Sequence, residues 1–339
     1  MKNIIFMILI LISILSSLQS RVYEDMLGEK IEIKNDILKI HAATPTILYT
    51  LYAIDKEKIA GLNFPFHEGE AKYLDPKVVN LPVLGGWFGQ GRTPNGEMIL
   101  QVQPDLILLS DYTKKMGEKK IKNSLGDTNI PLVYIKSNSL EELVESFSYI
   151  GKLINKESRA KKLEEYGKGS LSLSKEILKK ISQKPKVYYA EGKNGLQTEC
   201  HSSLRSEIIT LAGGENVHKC TTNNQFGREM ISFEKVLSYN PEVIFIYDKR
   251  FYTKIYQNKN WKHIDAVKNK QVYLLPKGPF NWFDRPPSFM RLLGLKWAIS
   301  ILHPELYTFD IYTEAKLFYK LFLDIDLSVE QLNEIMGDN

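Results

Sequence analysis

Aromatic and arginine side chains are concentrated in a few polar stretches of the chain that are rich in glycine or proline. Aromatic rings provide flat apolar walls, and a guanidinium group matches carboxylate or catecholate oxygens better than an ammonium group does. Such a mixture is typical of a site that binds an oxygen-rich molecule. The candidate ligand-binding residues are Trp87, Phe88, Arg92, Tyr189, His201, Trp282, Phe283 and Arg285.

Each of these candidates also has a plainer interpretation. Arg285 could form a structural ion pair with Asp284, and Arg92 could be a surface charge. The tryptophan and phenylalanine rings could pack at the edge of a domain. Tyr188 and Tyr189 alternate on one predicted strand, so only one of them can face a site, and we choose Tyr189.

Two histidines could contact a metal ion directly. His201 follows Cys200 in a predicted loop, and His41 ends a predicted strand. Imidazole suits both nickel and iron, so either ring could fill an open coordination position. The sequence has no His-x-His, Cys-x-x-Cys or acidic triplet that would form a site made only of protein ligands. A structural role therefore remains open for both histidines, and any metal is expected to arrive already bound to a chelator.

Cys200 and Cys220 are the only cysteines. An exported protein can keep a disulfide, and a Cys200–Cys220 bond is one expectation. Two separate thiols are the alternative, because sequence alone does not reveal whether the geometry allows closure.

A segment of the chain is repeated, and this repeat predicts how the elements are arranged. Residues 97–109 reappear 137 positions later as residues 234–246. Both copies contain a short amphipathic helix with a glutamate, a Pro-acidic corner and a buried strand. The repeat predicts two lobes of related build, each with one equivalent glutamate, Glu97 and Glu234. Two-lobed proteins commonly bind a ligand between the lobes.

Alternating strands and helices predict an α/β fold with parallel sheets. Ligands then meet the loops at the carboxyl ends of the strands, where the candidate residues lie. Ser139 opens a helix with a capping box, and a second, highly charged helix follows over about 156–181. A long helix between two lobes is expected to act as a rigid strut and to limit hinge opening.

The N-terminus predicts export. Lys2 precedes an apolar run over 4–15 and a small, polar stretch that ends at Ser20. The run is shorter than the ~20 residues that span a membrane, so cleavage near Ser20 is expected, with an uncleaved anchor as the alternative. A lipid-anchored N-terminal cysteine is excluded, because no cysteine precedes Cys200. The predicted divisions are 1–20 signal peptide, 21–138 N-terminal lobe, 139–184 helical connector and 185–339 C-terminal lobe.

Charge and composition exclude some classes of function. The formal net charge of +5 falls to +4 when Lys2 is removed, and Lys and Glu are interleaved on the predicted helices. This pattern is typical of solvated helix faces and does not indicate a basic patch that binds nucleic acid. With 43% hydrophobic and 25% charged residues, the chain reads as a globular protein.

Four segments together resemble a known family. They are the run 281–297 (NWFDRPPSFMRLLGLKW), the two repeats, and the run 211–217 (LAGGENV). This combination is similar to the iron-chelate class of substrate-binding proteins of ABC importers, which deliver siderophores, haem, cobalamin or related complexes. The run 188–198 (YYAEGKNGLQT), with the later Arg-Pro-Pro-Ser segment, looks like members that handle iron or nickel complexes.

The resemblance implies two Rossmann-like α/β lobes joined by a single long helix, with the ligand held between them. It also implies that Glu97 and Glu234 dock on arginines of a permease dimer, and that Arg285 belongs to a ligand-contacting loop. The expected protein is a periplasmic monomer without an intrinsic cofactor. Its transported ligand would be an iron(III)–siderophore or a nickel complex.

Other functions remain open. A haem or cobalamin carrier of the same class is one alternative, and a chelatase-like enzyme on a related two-lobed fold is another. No P-loop, nucleophile elbow or dinucleotide-binding glycine pattern supports an enzyme. A carrier of free zinc or manganese would need three or four converging ligands, which the sequence does not provide.

Overall fold

Short parallel strands alternate with helices along both halves of the chain. A computed structural model describes residues 20–87, 94–115, 117–126, 128–220 and 228–337. The expected signal peptide therefore lies outside the described residues, apart from Ser20. The prediction of an α/β fold with parallel sheets is confirmed.

By its internal contacts the chain divides into two units. Unit 1 comprises the described parts of Met1–His67, Leu74–Asn138 and Glu142–Glu164. Unit 2 comprises Glu68–Tyr73, Ser139–Glu141 and the described parts of Glu165–Asn339. The chain therefore passes from one unit to the other inside the long charged helix, which covers Glu157–Lys180.

Unit 1 is built on a three-stranded parallel sheet in the order β3-β4-β5. A separate antiparallel hairpin, β1-β2, precedes it in sequence. The central strand β4 is buried along its whole length, as its unbroken apolar sequence predicts. The strands of this unit are β1 Ser20–Glu24, β2 Lys30–Lys34, β3 Ile40–Ala42, β4 Leu106–Ser110 and β5 Leu132–Ile135.

Unit 2 is built on a four-stranded parallel sheet in the order β11-β10-β6-β8. A short antiparallel pair, β7-β9, lies outside this sheet. The central strands β6 and β10 carry the apolar core of the unit. The strands of this unit are β6 Lys186–Ala190, β7 Gln197–Thr198, β8 Glu215–Asn216, β9 Glu229–Met230, β10 Val243–Ile246 and β11 Val272–Leu274.

The helices follow the strands in both units. None of those in the described parts of the chain combines the length and hydropathy that crossing a bilayer requires. In chain order they are α1 Pro45–Asp55, α2 Glu68–Ala71, α3 Pro76–Val79, α4 Gly96–Val102, α5 Asp111–Lys115, α6 Glu118–Ser124, α7 Leu140–Leu153, α8 Glu157–Lys180, α9 Glu207–Leu211, α10 Phe233–Tyr239, α11 Lys249–Tyr252, α12 Asp265–Lys268, α13 Met290–Leu302, α14 Ile311–Leu323 and α15 Val329–Met336.

The two sequence repeats form equivalent structures. The acidic residue after the repeated proline joins the start of its own strand to the neighbouring strand in both units. In unit 1 the Asp105 N–H donates to the Lys39 carbonyl at 2.7 Å, and its carboxylate accepts from the Lys39 N–H at 2.9 Å. In unit 2 Glu242 makes the same two contacts with Lys186, at 2.9 and 2.8 Å. The Pro-acidic corner therefore sets strand register in both sheets.

The apolar character of residues 59–62 predicts a short strand, and this prediction is wrong. The apolar run Ile59–Leu62 does not form a strand of its own but makes only isolated bridges, Ile40↔Ile59 and Leu62↔Val83. Gly61 interrupts the run, and its position is crowded: a Cβ there would lie 2.5 Å from the Leu84 side chain. A glycine within a strand pattern often marks such a close approach of neighbouring atoms.

Candidate functional site

Three buried carboxylates and three arginines form a polar network in unit 2. Glu191 directly follows β6, Glu199 follows β7, and Asp284 lies in the loop between β11 and α13. All three carboxylates are withdrawn from solvent. Because ligands bind at the carboxyl ends of parallel strands, Glu191 at the end of β6 places the network where a binding site is expected. The arginines are Arg205, Arg228 and Arg285.

Arg285 lies at the centre of this network. Its Nε donates to Glu191 Oε1 at 2.6 Å and its Nη2 to Glu191 Oε2 at 3.4 Å. The same Nη2 also donates to Glu199 Oε1. Arg285 has a φ of +59°, a left-handed conformation that is uncommon for a residue with a Cβ. Two carboxylates therefore hold the guanidinium group of a residue whose backbone is itself unusual.

Arg228, which directly precedes the short strand β9, also joins the network. Its Nε donates at 2.9 Å to Glu191 Oε1, the oxygen that also accepts from Arg285. Its Nη1 lies 3.4 Å from Gln197 Oε1, and its guanidinium group lies over the Tyr247 ring at 5.2 Å. Charge-assisted bonds and a ring contact thus orient the second guanidinium group as well.

Burial changes the protonation of the network. It raises the pKa of Glu199 to about 7, and the attraction of Arg285 offsets it only in part. Burial and the neighbouring Glu191 raise the pKa of Asp284. Burial alone would lower the pKa of Arg285, but Asp284, Glu191 and Glu199 together raise it. Arg285 therefore stays charged, while burial favours the neutral forms of Glu199 and Asp284.

The network is better suited to an anion than to a bare cation. Carboxylate oxygens of Glu191, Glu199 and Asp284 lie within 4.8 Å of one another, a spacing that could hold a metal ion. However, Arg285 donates to two of these carboxylates, and an ion in that place would have to displace a guanidinium group. The carboxylates instead fix the direction of the arginine donors.

Comparison with known proteins shows the family. The sequence profile of the periplasmic binding protein family matches residues 40–279. The chain belongs to this family. The solved ABC transporter solute binding protein of Sulfurospirillum deleyianum is 39% identical with a TM-score of 0.86, over 94% of this chain and 99% of that one.

Curated relatives of this binding protein are more distant. The molybdate-binding protein MolA of Haemophilus influenzae is 23% identical over 86% of this chain and 87% of its own length. The Fe(3+)-citrate-binding protein YfmC of Bacillus subtilis is 29% identical over 55% of this chain and 58% of its own length. Both are substrate-binding transport proteins. Members of the family are extracytoplasmic and work with the permeases of ABC importers.

The three aromatic candidates of unit 2 lie inside the protein, which corrects their predicted contact with a ligand. The Phe283 ring packs edge-on against Tyr189, Phe245 and Trp297 at 5.2–6.1 Å. Trp282 is also fully buried. Their sequence neighbours suggested an exposed loop, but the apolar rings fill the core behind it, where burial is more favourable.

The hydroxyl group of Tyr189 has a function within the polar network. It donates to Asp284 Oδ1 at 2.6 Å, and burial raises the pKa of Tyr189 well above its ordinary value. Tyr189 therefore remains a proton donor to the carboxylate. Tyr189 supports the network through this hydrogen bond, and its ring is buried.

In unit 1 the structure describes only two of the candidate ligand-binding or metal-binding residues, Trp87 and His41. Trp87 is almost completely buried and belongs to the core of that unit, with its ring 6.4 Å from His41. Burial lowers the pKa of His41 to about 3, and neither ring nitrogen has a hydrogen-bond partner among the described residues. His41 is thus a neutral ring in the interior. Phe88 and Arg92 lie outside the described residues.

His201 is exposed, but its ring nitrogens are arranged unfavourably for a metal. The Cys220 backbone N–H donates to His201 Nδ1 at 3.2 Å. A backbone N–H can only donate, so the neutral ring carries its proton on Nε2, the nitrogen left for solvent. Coordination through Nε2 would move this proton to Nδ1 and break the bond to Cys220. Cys200 and Cys220 are joined by a disulfide.

Glu97 and Glu234 are both exposed and occupy the second position of α4 and α10. Hydrogen bonds from the Glu234 backbone N–H and from Ser232 lower the pKa of Glu234. No cationic side chain among the described residues lies within ion-pair distance of either carboxylate.

Sequence reasoning identified Arg285 and its possible pairing with Asp284 but missed Glu191 and Glu199. Glu191 lies two residues after Tyr189 on the predicted strand, so a carboxylate directly after a buried strand was an available signal. Asp284 had been considered as a structural partner of Arg285, and its Oδ2 indeed lies 3.3 Å from Arg285 Nε. Nothing in the sequence pointed to Arg228.

Proposed function

We propose that this binding protein captures an anionic metal chelate, either an iron(III)–siderophore or a nickel complex, and delivers it to an ABC permease. The observation that carries this proposal is the pair of guanidinium groups, Arg228 and Arg285, fixed on a single oxygen of Glu191. Two oriented guanidinium groups can bind carboxylate or catecholate oxygens with little loss of side-chain entropy.

Both arginines keep donors for a ligand. The side chains of Arg285 and Arg228 are 16% and 29% exposed. Arg285 Nη1 and Arg228 Nη2 make no hydrogen bond with any described residue. These nitrogens supply N–H groups that an anion could accept from, while the engaged nitrogens hold each group in place.

The named ligands of the relatives fit this chemistry. Molybdate is an oxyanion, and citrate presents carboxylates around its iron. Their common property is negatively charged oxygen, which is what guanidinium groups recognise. The oriented guanidinium groups of Arg228 and Arg285 support the same class of ligand for this protein.

The arrangement of possible metal ligands supports a metal that arrives already chelated. The carboxylates of Glu191 and Glu199 are engaged with arginine, and the His201 tautomer disfavours coordination. We therefore assign recognition to the oxygens of the chelator and leave the first coordination shell of the metal to the chelator itself.

Substitution of the arginines tests the proposal. Arg285→Lys and Arg228→Lys retain the positive charge but lose the planar donors, so Fe(III)–citrate binding by calorimetry should weaken by about 10- to 100-fold. Arg250→Lys is the control, because Arg250 is an exposed arginine that pairs with Asp248 elsewhere in unit 2. Affinities equal to that of the control would contradict the assigned site.

A second experiment identifies the natural ligand without assuming it. Native mass spectrometry and metal analysis of protein purified from its own periplasm should detect an acidic chelator with iron or nickel. A neutral or cationic organic ligand without metal would refute the proposed ligand class. The same preparation reports whether haem or cobalamin is bound instead.

A further inference from the structure

The helices α4 and α10 are equivalent in detail, which allows their surfaces to be compared position by position. Asn95 Oδ1 caps α4 by accepting from the Met98 N–H, and Ser232 Oγ caps α10 by accepting from the Lys235 N–H. Each helix has seven residues and ends at a residue in the left-handed conformation. Positions that differ by 137 in number are therefore structurally equivalent.

A leucine is exposed at the same position of both helices. Leu100 and Leu237 are each 47% exposed. The preceding residues, Ile99 and Val236, are the ones that each helix buries in its own unit. The leucines are thus not required to anchor the helices. Each of the two units exposes apolar surface to water at this position.

Single exposed apolar residues are common on protein surfaces and need no explanation. Here, however, both the residue type and its exposure are repeated at equivalent positions of the two helices. Another exposed pair of equivalent positions differs, because it holds Gln101 in unit 1 and Ser238 in unit 2. This repetition indicates that the exposed leucines serve a function other than stabilising the fold of each unit.

Each leucine has a glutamate as its neighbour on the helix surface. Glu97 and Leu100, like Glu234 and Leu237, are three residues apart, so they lie on the same face of their helix. Among the described residues neither carboxylate has a cationic partner within ion-pair distance. Each unit therefore presents one unpaired negative charge beside one apolar side chain.

We propose that Leu100 and Leu237 form the apolar part of the surface that docks on the permease, with Glu97 and Glu234 as its charged part. The complementary surface of the permease would offer each unit a basic side chain beside an apolar depression. Charge pairs chiefly direct encounter and orientation, whereas a leucine buried in a partner stabilises the complex once formed. The inference rests on the proposed delivery function.

Double substitutions separate the two contributions. Binding to the purified permease–ATPase complex in nanodiscs should weaken at least 10-fold for Leu100→Ala with Leu237→Ala, with an unchanged dependence of affinity on salt. Glu97→Gln with Glu234→Gln should instead reduce the salt dependence, because only exposed charge pairs are screened. Fe(III)–citrate affinity should be unchanged in both variants.

Two leucines outside these helices provide matched controls. Leu38 in unit 1 and Leu317 in unit 2 are 68% and 60% exposed, so Leu38→Ala with Leu317→Ala removes at least as much apolar surface. Permease affinity of the Leu100/Leu237 variant within twofold of this control would overturn the inference alone. Failure of the unaltered protein to bind the permease complex would overturn the delivery function and the inference together.

Discussion

Glu191 and Arg285 are 94 residues apart in sequence and are joined by two hydrogen bonds, from Nε to Oε1 and from Nη2 to Oε2. This two-point contact fixes the plane of the guanidinium group as well as its position. A donor oriented in this way before the ligand arrives loses less entropy on binding. Glu191 is thus a positioning residue for the predicted ligand site.

The raised pKa of Glu199 predicts a specific dependence of stability on pH. Its folded-state pKa is about 7, above the ordinary 4.5, so its contribution to stability is fully present below pH 4.5 and is lost as the pH rises through 7. Relative to the unaltered protein, Glu199→Gln should gain about 3 kcal/mol in unfolding free energy between pH 4.5 and 8.5. Urea unfolding at both pH values measures this change.

The control for this experiment is Glu176→Gln, which alters an exposed glutamate of α8 in unit 2. Its effect on the unfolding free energy should be the same at both pH values. A constant difference for Glu199→Gln as well would show that Glu199 titrates normally.

The bond between Tyr189 and Asp284 predicts a measurable loss of stability. Asp284 Oδ2 already lacks a hydrogen-bond partner among the described residues, so Tyr189→Phe would leave both oxygens without one. The expected loss is about 1–3 kcal/mol in unfolding free energy. Tyr134→Phe is the matched control, because the buried Tyr134 hydroxyl has no partner in the described structure. Equal effects of the two substitutions would contradict the assigned bond.

Helix α13 approaches the candidate loop so closely that only glycine fits at one position. A Cβ at Gly294 would lie 2.1 Å from the Trp282 carbonyl oxygen, and this backbone atom cannot rotate away. Gly294→Ala should therefore destabilise the protein by about 2–3 kcal/mol, as measured by denaturant unfolding. Gly169→Ala in α8 meets no atom within 4 Å and should instead stabilise by about 0.5–1 kcal/mol. Similar effects at both sites would rule out the close approach.

The repeated glutamates predict a separation of binding from transport. Glu97→Ala with Glu234→Ala should leave the affinity for Fe(III)–citrate unchanged but abolish uptake of radiolabelled iron by cells that lack the unaltered protein, because docking loses its charges. Glu145→Ala with Glu176→Ala removes one exposed acid from each unit and should leave uptake normal. Normal uptake by the Glu97/Glu234 variant would falsify the docking role.

Local patterns predicted the elements well where a single physical cause determines them. The predicted C-terminal lobe, 185–339, begins with strand β6, and the charged helix predicted over about 156–181 forms α8. The apolar run Ile59–Leu62 predicted a strand but forms only isolated bridges. Gly61 within it is closely packed against Leu84, which is a tertiary effect that local periodicity does not reveal. Local periodicity predicts whether a segment forms a helix or a strand. Exceptions arise where the segment packs against residues that are distant in sequence.

The sequence by itself determined the α/β class, the internal repeat with its two glutamates and the family, because periodicity and repeated motifs are local properties of the chain. Only the tertiary structure decided that Trp282 and Phe283 are core residues and that Arg228 and Arg285 meet on Glu191. Those outcomes depend on which distant side chains share the same desolvated space. A buried guanidinium group needs carboxylate partners, and only folding determines which carboxylates lie within reach.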